Sequence, residues 1–563
     1  MGKLRINLIL VLIFLFGAAI ISRLVFLQIS QHDFYSALAR GQQKFFIDAQ
    51  GERGQIFFQN HDFPVATNKN YYFVYASPSG IPQEEKENTA EVLSQVLDLD
   101  KESISIKFQK DSLYELLKDR LTEKEALGLK EKQLTGVYLG EEKLRNYPYG
   151  ELASHILGFV NKDGQGQYGV EEYWNDLLAG KENILEGERG LLGYFFTNSK
   201  AVQANGANLE LTIDYNIQYF AEKLLNNAQK NLDIGGGTIV VMNPNSGEIL
   251  ALADSSNFDP NKYYQENDLR VFQTDAIQKI FEPGSVFKPI TMSGAINEGS
   301  VTPYTTYRDP GVVEIGGWPI YNYDQRSYPG DITMTGVLER SINTGAVFAE
   351  SQLGNQKFSD YIKKFGIFEK TGIDLAGEIL SLNKEFKKGY DIGFATASFG
   401  QGIEMTPIQL VRAFSSISNG GKLVKPYLVK KIKNNGNMTE IRPEIIESGV
   451  ISPATASKVT AMLVSVVENG FGKAAKIPGY YIAGKTGTAQ VSFSSIGINQ
   501  SGYSERTWQS FIGFAPAFDP KFIILVKLNN PATKTAEYSA VPIFKDLAKY
   551  IIDYWQIPPD YEP

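Results

Sequence analysis

The 563-residue chain has no cysteine and only three histidines, His32, His61 and His155, all in its first third. Composition therefore removes thiol nucleophiles, thiolate zinc sites and disulfide scaffolds. A serine nucleophile in the rest of the chain has no local histidine as base and needs a lysine or a carboxylate instead. FEPGSVFKPI (281–290) offers such a pair, because Ser285 and Lys288 stand three residues apart. On a helix, positions i and i+3 share a face, which brings the amine within reach of the hydroxyl. SINTG (341–345) adds Ser341 and Asn343, and IAGKTGTAQVS (482–492) adds Lys485 followed by Thr486, Gly487 and Thr488.

Each short pattern is weak alone. Ser-x-x-Lys arises by chance about two or three times in a chain of this size and composition, and it recurs at Ser381 to Lys384. Ser285 could equally be a helix N-cap and Lys288 a solvated charge. Ser-x-Asn recurs at 255–257 and 381–383, and the KTG triplet recurs at Lys370 to Gly372. Order discriminates. Starting from Ser285 the chain runs SxxK, SxN, KTG through separate segments, whereas no separate SxN lies between Ser381 and Lys485. That succession marks serine acyltransferases acting on penicillin-like and peptidoglycan-like acyl groups.

The elements that position these residues follow from periodicity. Lys3 and Arg5 precede an apolar run from Leu8 to Ile21, which resumes after Arg23 at Leu24 to Leu27. Counted from Ile6 to Gln28, the segment is long enough to span a bilayer as a helix. A cleaved secretory signal is the alternative, but no small-x-small site follows the run and the apolar character continues. Lys3 and Arg5 then stay cytoplasmic, Arg23 snorkels to the far interface, and the chain after about residue 29 lies outside the cytoplasm. The net charge of −8, with no long basic run, argues against nucleic acid as a partner. A hydrophobic content of 43% supports at least two packed cores. YYFVYASP (71–78) reads as a strand, Glu84 to Lys132 as a charged helical stretch, and VQANGANLELTID (202–214) as a hinge followed by a strand. GGGTIVVMNPNSGEILALAD (235–254) reads as a hairpin; helices follow, then strands at Tyr480 to Gln490 and FIILVKL (522–528). The order predicts an α+β fold with helices against a mainly antiparallel sheet.

RGQIF (53–57), RNYPYGELASHILGFV (145–160), YGVEEYWNDLLAG (168–180), GEILALADSSNFDPN (247–261), FGQGIEMTPIQLVRAFSSISNGG (399–421) and FIGFAPAFDP (511–520) complete the pattern. With the three motifs, they make the chain resemble the class B penicillin-binding proteins, peptidoglycan transpeptidases, over nearly its whole length. The resemblance implies a cytoplasmic tail at 1–5, a transmembrane helix at 6–28, a dimerisation-like pedestal at 29–208 and a transpeptidase domain related to serine β-lactamases at 209–563. It further implies that Ser285 attacks the carbonyl between two terminal D-alanines and that Lys288 is the base. Ser341 would relay the proton and Asn343 hydrogen-bond the substrate backbone. Lys485, with Thr486, Gly487 and Thr488, would form the strand that holds the terminal carboxylate, and the backbone N–H groups of Ser285 and Thr488 the oxyanion hole. FGIFEKTGIDLAGE (365–378) resembles a connecting loop of the family, which leaves Lys485 as the working lysine.

No cofactor or metal is implied. The implied ligands are stem peptides ending in D-alanyl-D-alanine and β-lactams. The implied setting is the bacterial cytoplasmic membrane, single-pass, beside a membrane glycosyltransferase and other division proteins. KAAKIPGYYIAGKTGTAQ (473–490) and VPIFKDLAKYIIDYWQIPPD (541–560) resemble the septal branch; an elongation-type enzyme and a catalytically idle wall scaffold are the alternatives. A β-lactamase is disfavoured because a deacylating glutamate has no recognisable setting here, and a bifunctional enzyme would need a further glycosyltransferase domain.

Overall fold

The computed structural model describes residues 14–18, 20–21, 44–180, 182–190, 193–196, 205–493, 495, 497–500 and 502–562. The expected membrane helix at 6–28 lies outside these residues except for helical backbone at 14–18 and 20–21; among the described residues no helix is long and apolar enough to cross a membrane. Two compact units form. The first, Met1–Arg53 with Ala179–Gly206, contains an antiparallel sheet in which Glu182–Gly190 pairs with both Lys44–Gln50 and Gly193–Phe196.

The second unit, Gly54–Leu178 with Ala207–Pro563, holds every candidate site residue. In its N-terminal part, the strand Pro64–Ala76 pairs antiparallel with Val137–Asn146 and with Glu115–Leu121. The stretch from Glu84 to Lys132 is therefore not helical throughout, as its leucines suggested. Helices at Lys86–Leu97, Lys101–Phe108 and Glu123–Lys132 are interrupted by that strand. Leu117 and Leu121 are both buried, and a separation of four residues places two side chains on one face of a strand as well as of a helix. Pairing with Tyr72 to Ala76 decides between the two, and a Thr122–Glu125 capping box starts the next helix directly after it.

Asn208–Leu211, the strand expected after the hinge, does more than enter a second domain. It pairs in parallel with Ile56–Phe57 and antiparallel with Val429–Asn434, so one sheet runs from the N-terminal part into the C-terminal part. Ile56, Leu209 and Val429 belong to one continuous core. Close by in sequence to these strands, Arg145 and Glu171 form a buried ion pair at 2.7 Å, with Arg145 Nη1 also donating to the Gly54 carbonyl at 2.7 Å.

The C-terminal part begins with α1 (Tyr215–Leu232), whose N-cap Asp214 accepts from the N–H groups of Asn216 and Ile217. The expected hairpin follows as β1 (Gly237–Met242) and β2 (Ile249–Asp254), in the register Thr238 opposite Asp254. The helices α2 (Lys288–Asn297), α3 (Asn343–Leu353), α4 (Pro407–Ser418) and α5 (Pro453–Asn469) come next. Then come β3 (Ala483–Ser492), β4 (Tyr503–Ala515), β5 (Phe522–Asn529) and α6 (Ala540–Trp555). The sheet order is β2-β1-β5-β4-β3 and every neighbouring pair is antiparallel. Alternate residues feed two cores. Ile239, Val241, Phe511 and Ile524 pack with α1 and α6, while Val240, Met242, Ile512 and Leu525 pack with residues of α2, α4 and α5. Burial of both faces explains why β1, β2 and β5 carry nearly unbroken apolar runs. β3 ends the sheet, and among the described residues no strand pairs with its other edge.

Candidate active site

Ser285 lies in a 3₁₀ turn, Gly284–Phe287, that runs straight into α2 at Lys288, so the pair shares one helical path as its spacing predicts. The turn is pressed against β3 by three glycines. Gly284 adopts φ 62°, and a Cβ there would come within 2.8 Å of the Ala489 Cβ. A Cβ on Gly400 would fall 2.1 Å from the Gly284 carbonyl oxygen, and the Gly284 N–H donates to the Gly400 carbonyl at 2.9 Å. At Gly487 a Cβ would lie 2.5 Å from Ser510 Oγ and 3.0 Å from Val286 Cγ1. The glycine of KTG thus lets the Ser285 turn approach the strand, a packing role that the motif alone did not disclose.

Ser341 precedes α3 in the left-handed conformation, φ 55°. For a non-glycine residue this costs about 1–2 kcal/mol, and it accompanies a convergence of polar groups. Lys288 Nζ donates to the Ser341 carbonyl at 2.6 Å and to Asn343 Oδ1 at 2.8 Å, with Ser341 Oγ at 3.3 Å. Lys485 Nζ donates to Ser341 Oγ at 2.9 Å, to the Thr486 carbonyl at 2.9 Å and to Thr486 Oγ1 at 3.3 Å. One serine hydroxyl therefore touches two lysines. Both lysines are enclosed, Lys288 at 1% and Lys485 at 0% exposure, whereas Ser285, Ser341 and Asn343 are half-buried. Among the described residues no hydrogen bond yet joins Ser285 to Lys288, a common state of catalytic groups without substrate.

Neither lysine has a carboxylate partner among the described residues, and burial sets their protonation. Burial holds Lys288 well below the ordinary lysine value, and the nearby Lys485 charge adds to that shift. Burial alone lowers Lys485 to about 7. A neutral Lys288 has two N–H groups, matched by the Ser341 carbonyl and Asn343 Oδ1, which leaves its lone pair for a hydroxyl proton.

Asn343 is oriented from behind. Its Nδ2 donates to the Tyr321 carbonyl at 3.0 Å. The next residue, Thr344, donates its N–H to Asn322 Oδ1 at 3.1 Å and its hydroxyl to Asp309 Oδ1 at 2.7 Å. Asn322 Nδ2 closes the triangle on Asp309 Oδ2 at 3.0 Å. Asp309, Asn322 and Thr344 escaped the sequence reading: Asp309 and Asn322 lie outside every quoted motif, and Thr344 sits in SINTG without a role assigned to it. On β3, Thr488 is half-buried and its Oγ1 accepts from the Ala536 N–H at 3.3 Å, leaving its hydroxyl hydrogen for another partner.

The duplicate motifs lie elsewhere. Lys370 is exposed in a loop where the Thr371 N–H and hydroxyl both donate to Glu378 at 2.6 Å. Arg412 of α4 donates to the carbonyls of Gly366 and Lys370 in the same loop. Ser381 donates to Glu404 at 2.6 Å and Lys384 is exposed. His155 is buried with Nε2 at 2.9 Å from the Val271 carbonyl, and no histidine hydrogen-bonds the site residues among those described.

Two family models cover most of the chain, the penicillin binding protein transpeptidase domain over residues 237–549 and the penicillin-binding protein dimerisation domain over 48–211. The chain belongs to the class B penicillin-binding proteins. Among relatives of this penicillin-binding protein, stage V sporulation protein D of Bacillus subtilis is 33% identical over 545 residues, covering 93% of this chain and 81% of the relative. Peptidoglycan D,D-transpeptidase FtsI of Escherichia coli is 31% identical over 443 residues, covering 77% and 71%. The crystal structure of penicillin-binding protein 3 from Mycobacterium tuberculosis, complexed with aztreonam, superposes with a TM-score of 0.71 at 26% identity, covering 92% of this chain and 98% of that one.

Proposed function

We propose that this penicillin-binding protein crosslinks peptidoglycan as a serine D,D-transpeptidase and that β-lactams acylate it at Ser285. The observation that carries the reading is the enclosure of two lysines around Ser341, next to the Ser285 turn and without any histidine. Ser285 Oγ attacks the carbonyl carbon of the penultimate D-alanine as its proton passes to the neutral Lys288. The tetrahedral oxyanion is held by the backbone N–H groups of Ser285 and of Thr488 on the free edge of β3. The peptide C–N bond then breaks, and the departing D-alanine amine takes a proton from Lys288 through Ser341. The amine of a neighbouring stem peptide attacks the resulting ester, returns a proton to Ser285 by the same path, and forms the crosslink. Asn343 binds the substrate backbone, and Lys485, Thr486, Gly487 and Thr488 receive the terminal carboxylate. An arriving carboxylate raises the pKa of Lys485, so the substrate itself completes the protonation of this residue.

Residues 6–28 anchor the chain in the cytoplasmic membrane with residues 1–5 inside; the pedestal at 29–208 carries the transpeptidase domain at 209–563 outside. The work is septal, beside a membrane glycosyltransferase of the divisome. The resemblance of 473–490 and 541–560 to septal enzymes and the likeness to FtsI support this branch.

A fluorescent penicillin should label the wild-type chain in a denaturing gel and fail to label Ser285→Ala. Labelling that survives the substitution removes the nucleophile from this reading, and a wild-type chain that never labels turns it into a wall scaffold. Depletion tests the branch: filaments support septal work, and rounded cells reassign the enzyme to elongation.

A further inference from the structure

Beyond the catalytic end of β3, a cavity of about 600 Å³ opens between the residues preceding the nucleophile turn, the start of β4 and the end of β5. Lys279, Arg506, Trp508 and Lys527 line it, and among the described residues Asp233 is the only carboxylate on its wall. Lys527 is the unusual member. It is 3% exposed, yet its Nζ donates only to the neutral Asn529 Oδ1, at 2.6 Å, and it has no carboxylate at ion-pair distance among the described residues. Its ammonium lies over two aromatic faces instead, 5.1 Å from the Phe281 ring centre and 5.5 Å from that of Trp508.

The nearby acids are committed to other groups. Asp275 is bound by Lys279 at 2.7 Å, and Asp254 accepts from the Thr238 hydroxyl at 2.7 Å and the Asp275 N–H at 2.9 Å. Burial, reinforced by the Asp275 charge, pushes the Asp254 carboxyl up and disfavours a second buried anion. Burial lowers Lys527 to about 8, with the Asp275 charge holding it up and the Lys279 charge pressing it down, which leaves it charged at neutral pH. Arg506 is exposed, and its guanidinium has no hydrogen bond or ion pair among the described residues. A buried ammonium with no carboxylate at ion-pair distance and a guanidinium fork with no partner among the described residues, both lining one cavity, are complementary to a group that carries negative charge on two or more oxygens.

We propose that this cavity is a binding site for an oxyanion group, a carboxylate or a phosphate, held between Arg506 and Lys527 against Trp508. Its walls adjoin residues that pack on the Ser285 turn. Trp508 stands opposite Ala489 on β3, the residue that abuts Gly284, and Phe281 meets Trp508 edge-on at 5.9 Å, four residues before Ser285. Val491 lines the cavity three residues beyond Thr488, about 10 Å along the strand. A carboxylate of an extended wall peptide lying on the free edge of β3 can therefore reach it, and so can a free anion. Only the first of these sources rests on the transpeptidase reading.

The test uses the intact chain and the fluorescence of Trp508, isolated from the other three tryptophans by comparison with Trp508→Phe. Inorganic phosphate and, separately, tricarballylate are titrated against chloride at constant ionic strength. A saturable change that disappears in Trp508→Phe supports the site; saturation by phosphate alone assigns a phosphate ligand, and saturation by the tricarboxylate a carboxylate ligand. Arg506→Gln, at an exposed position where the fold is not at stake, should weaken the affinity about tenfold or more, the scale of a lost charge-assisted pair. No saturable change with either anion, or equal affinity in Arg506→Gln, overturns the proposal. Ser285→Ala should bind the anions like wild type, so this outcome is read independently of any acylation.

Discussion

At the scale of residues, Ser341 Oγ sits between two lysines whose charges must differ for the chemistry to run. In the proposed mechanism Lys288 works without its proton, and burial beside the Lys485 charge makes that form available below the ordinary lysine range; Lys485 works with its proton, which burial leaves half lost at about 7. The rate constant for acylation by a carboxylate-bearing penicillin should therefore rise with pH as Lys288 deprotonates and fall above about 7 as Lys485 does. Stopped-flow labelling from about pH 5 to pH 9 reads both limbs, which belong to the coupled pair. Lys485→Ala should slow labelling by about 10²–10³, the scale of losing one major electrostatic contributor, and erase the falling limb. A falling limb that persists in Lys485→Ala would assign it to another group. Lys370→Ala, in the exposed copy of the motif, should change stability by about half a kcal/mol or less and leave labelling intact. Ser285, Lys288, Ser341 and Lys485 were legible because each sits in a short motif with a fixed order. Asp309, Asn322 and Gly400 were not, since nothing local to them records that the fold brings them to Asn343 or Gly284.

Among elements, the pairing of a tight turn with a strand sets the geometry of the site. Gly487→Ala inserts a methyl group where Ser510 Oγ and Val286 already stand, an overpacking that should cost about 1–3 kcal/mol and slow acylation as the turn is pushed off β3. Thermal unfolding and labelling measured together check both effects. Adding Ser510→Ala, which removes the nearest atom, should recover part of the loss; no recovery would mean that the collision is not the cause. The opening hairpin and β5 were readable from apolar runs bounded by turns, whereas β4, polar over its first half, was not read as a strand. The strand Glu115–Leu121 was not, because Leu117 and Leu121 fit a helical stripe as well as a strand face and only the partner strand discriminates.

For the whole molecule, the parallel contact of Leu209 and Glu210 with Ile56 and Phe57 ties the two family-like halves into one sheet and one core. A chain lacking residues 1–28 keeps all of this and should label with penicillin as a soluble protein. A chain starting at residue 209 loses the Ile56–Phe57 strand and leaves an apolar edge open, so it should aggregate and label poorly. Gel filtration and penicillin labelling of the two truncations separate these outcomes, and a well-behaved, fully labelled 209–563 fragment would show that the shared sheet is dispensable. Sequence motifs marked both halves, but a pairing between strands some 150 residues apart leaves no local periodicity to read.

The enclosure of the two lysines also limits how such a target changes under drug selection. Lys288 and Lys485 have no solvent-facing surface to redecorate, and the neighbouring glycines have no room for a side chain. Resistance arising within the chain would therefore gather at positions that the site merely leans on. The hairpin Val312–Ile315 with Trp318–Tyr321 is one, since its Tyr321 carbonyl holds Asn343; the first residues of β4 are another. At such places a substitution tilts a catalytic group by a fraction of an ångström and can trade inhibitor capture against turnover, where the core of the site permits no compromise.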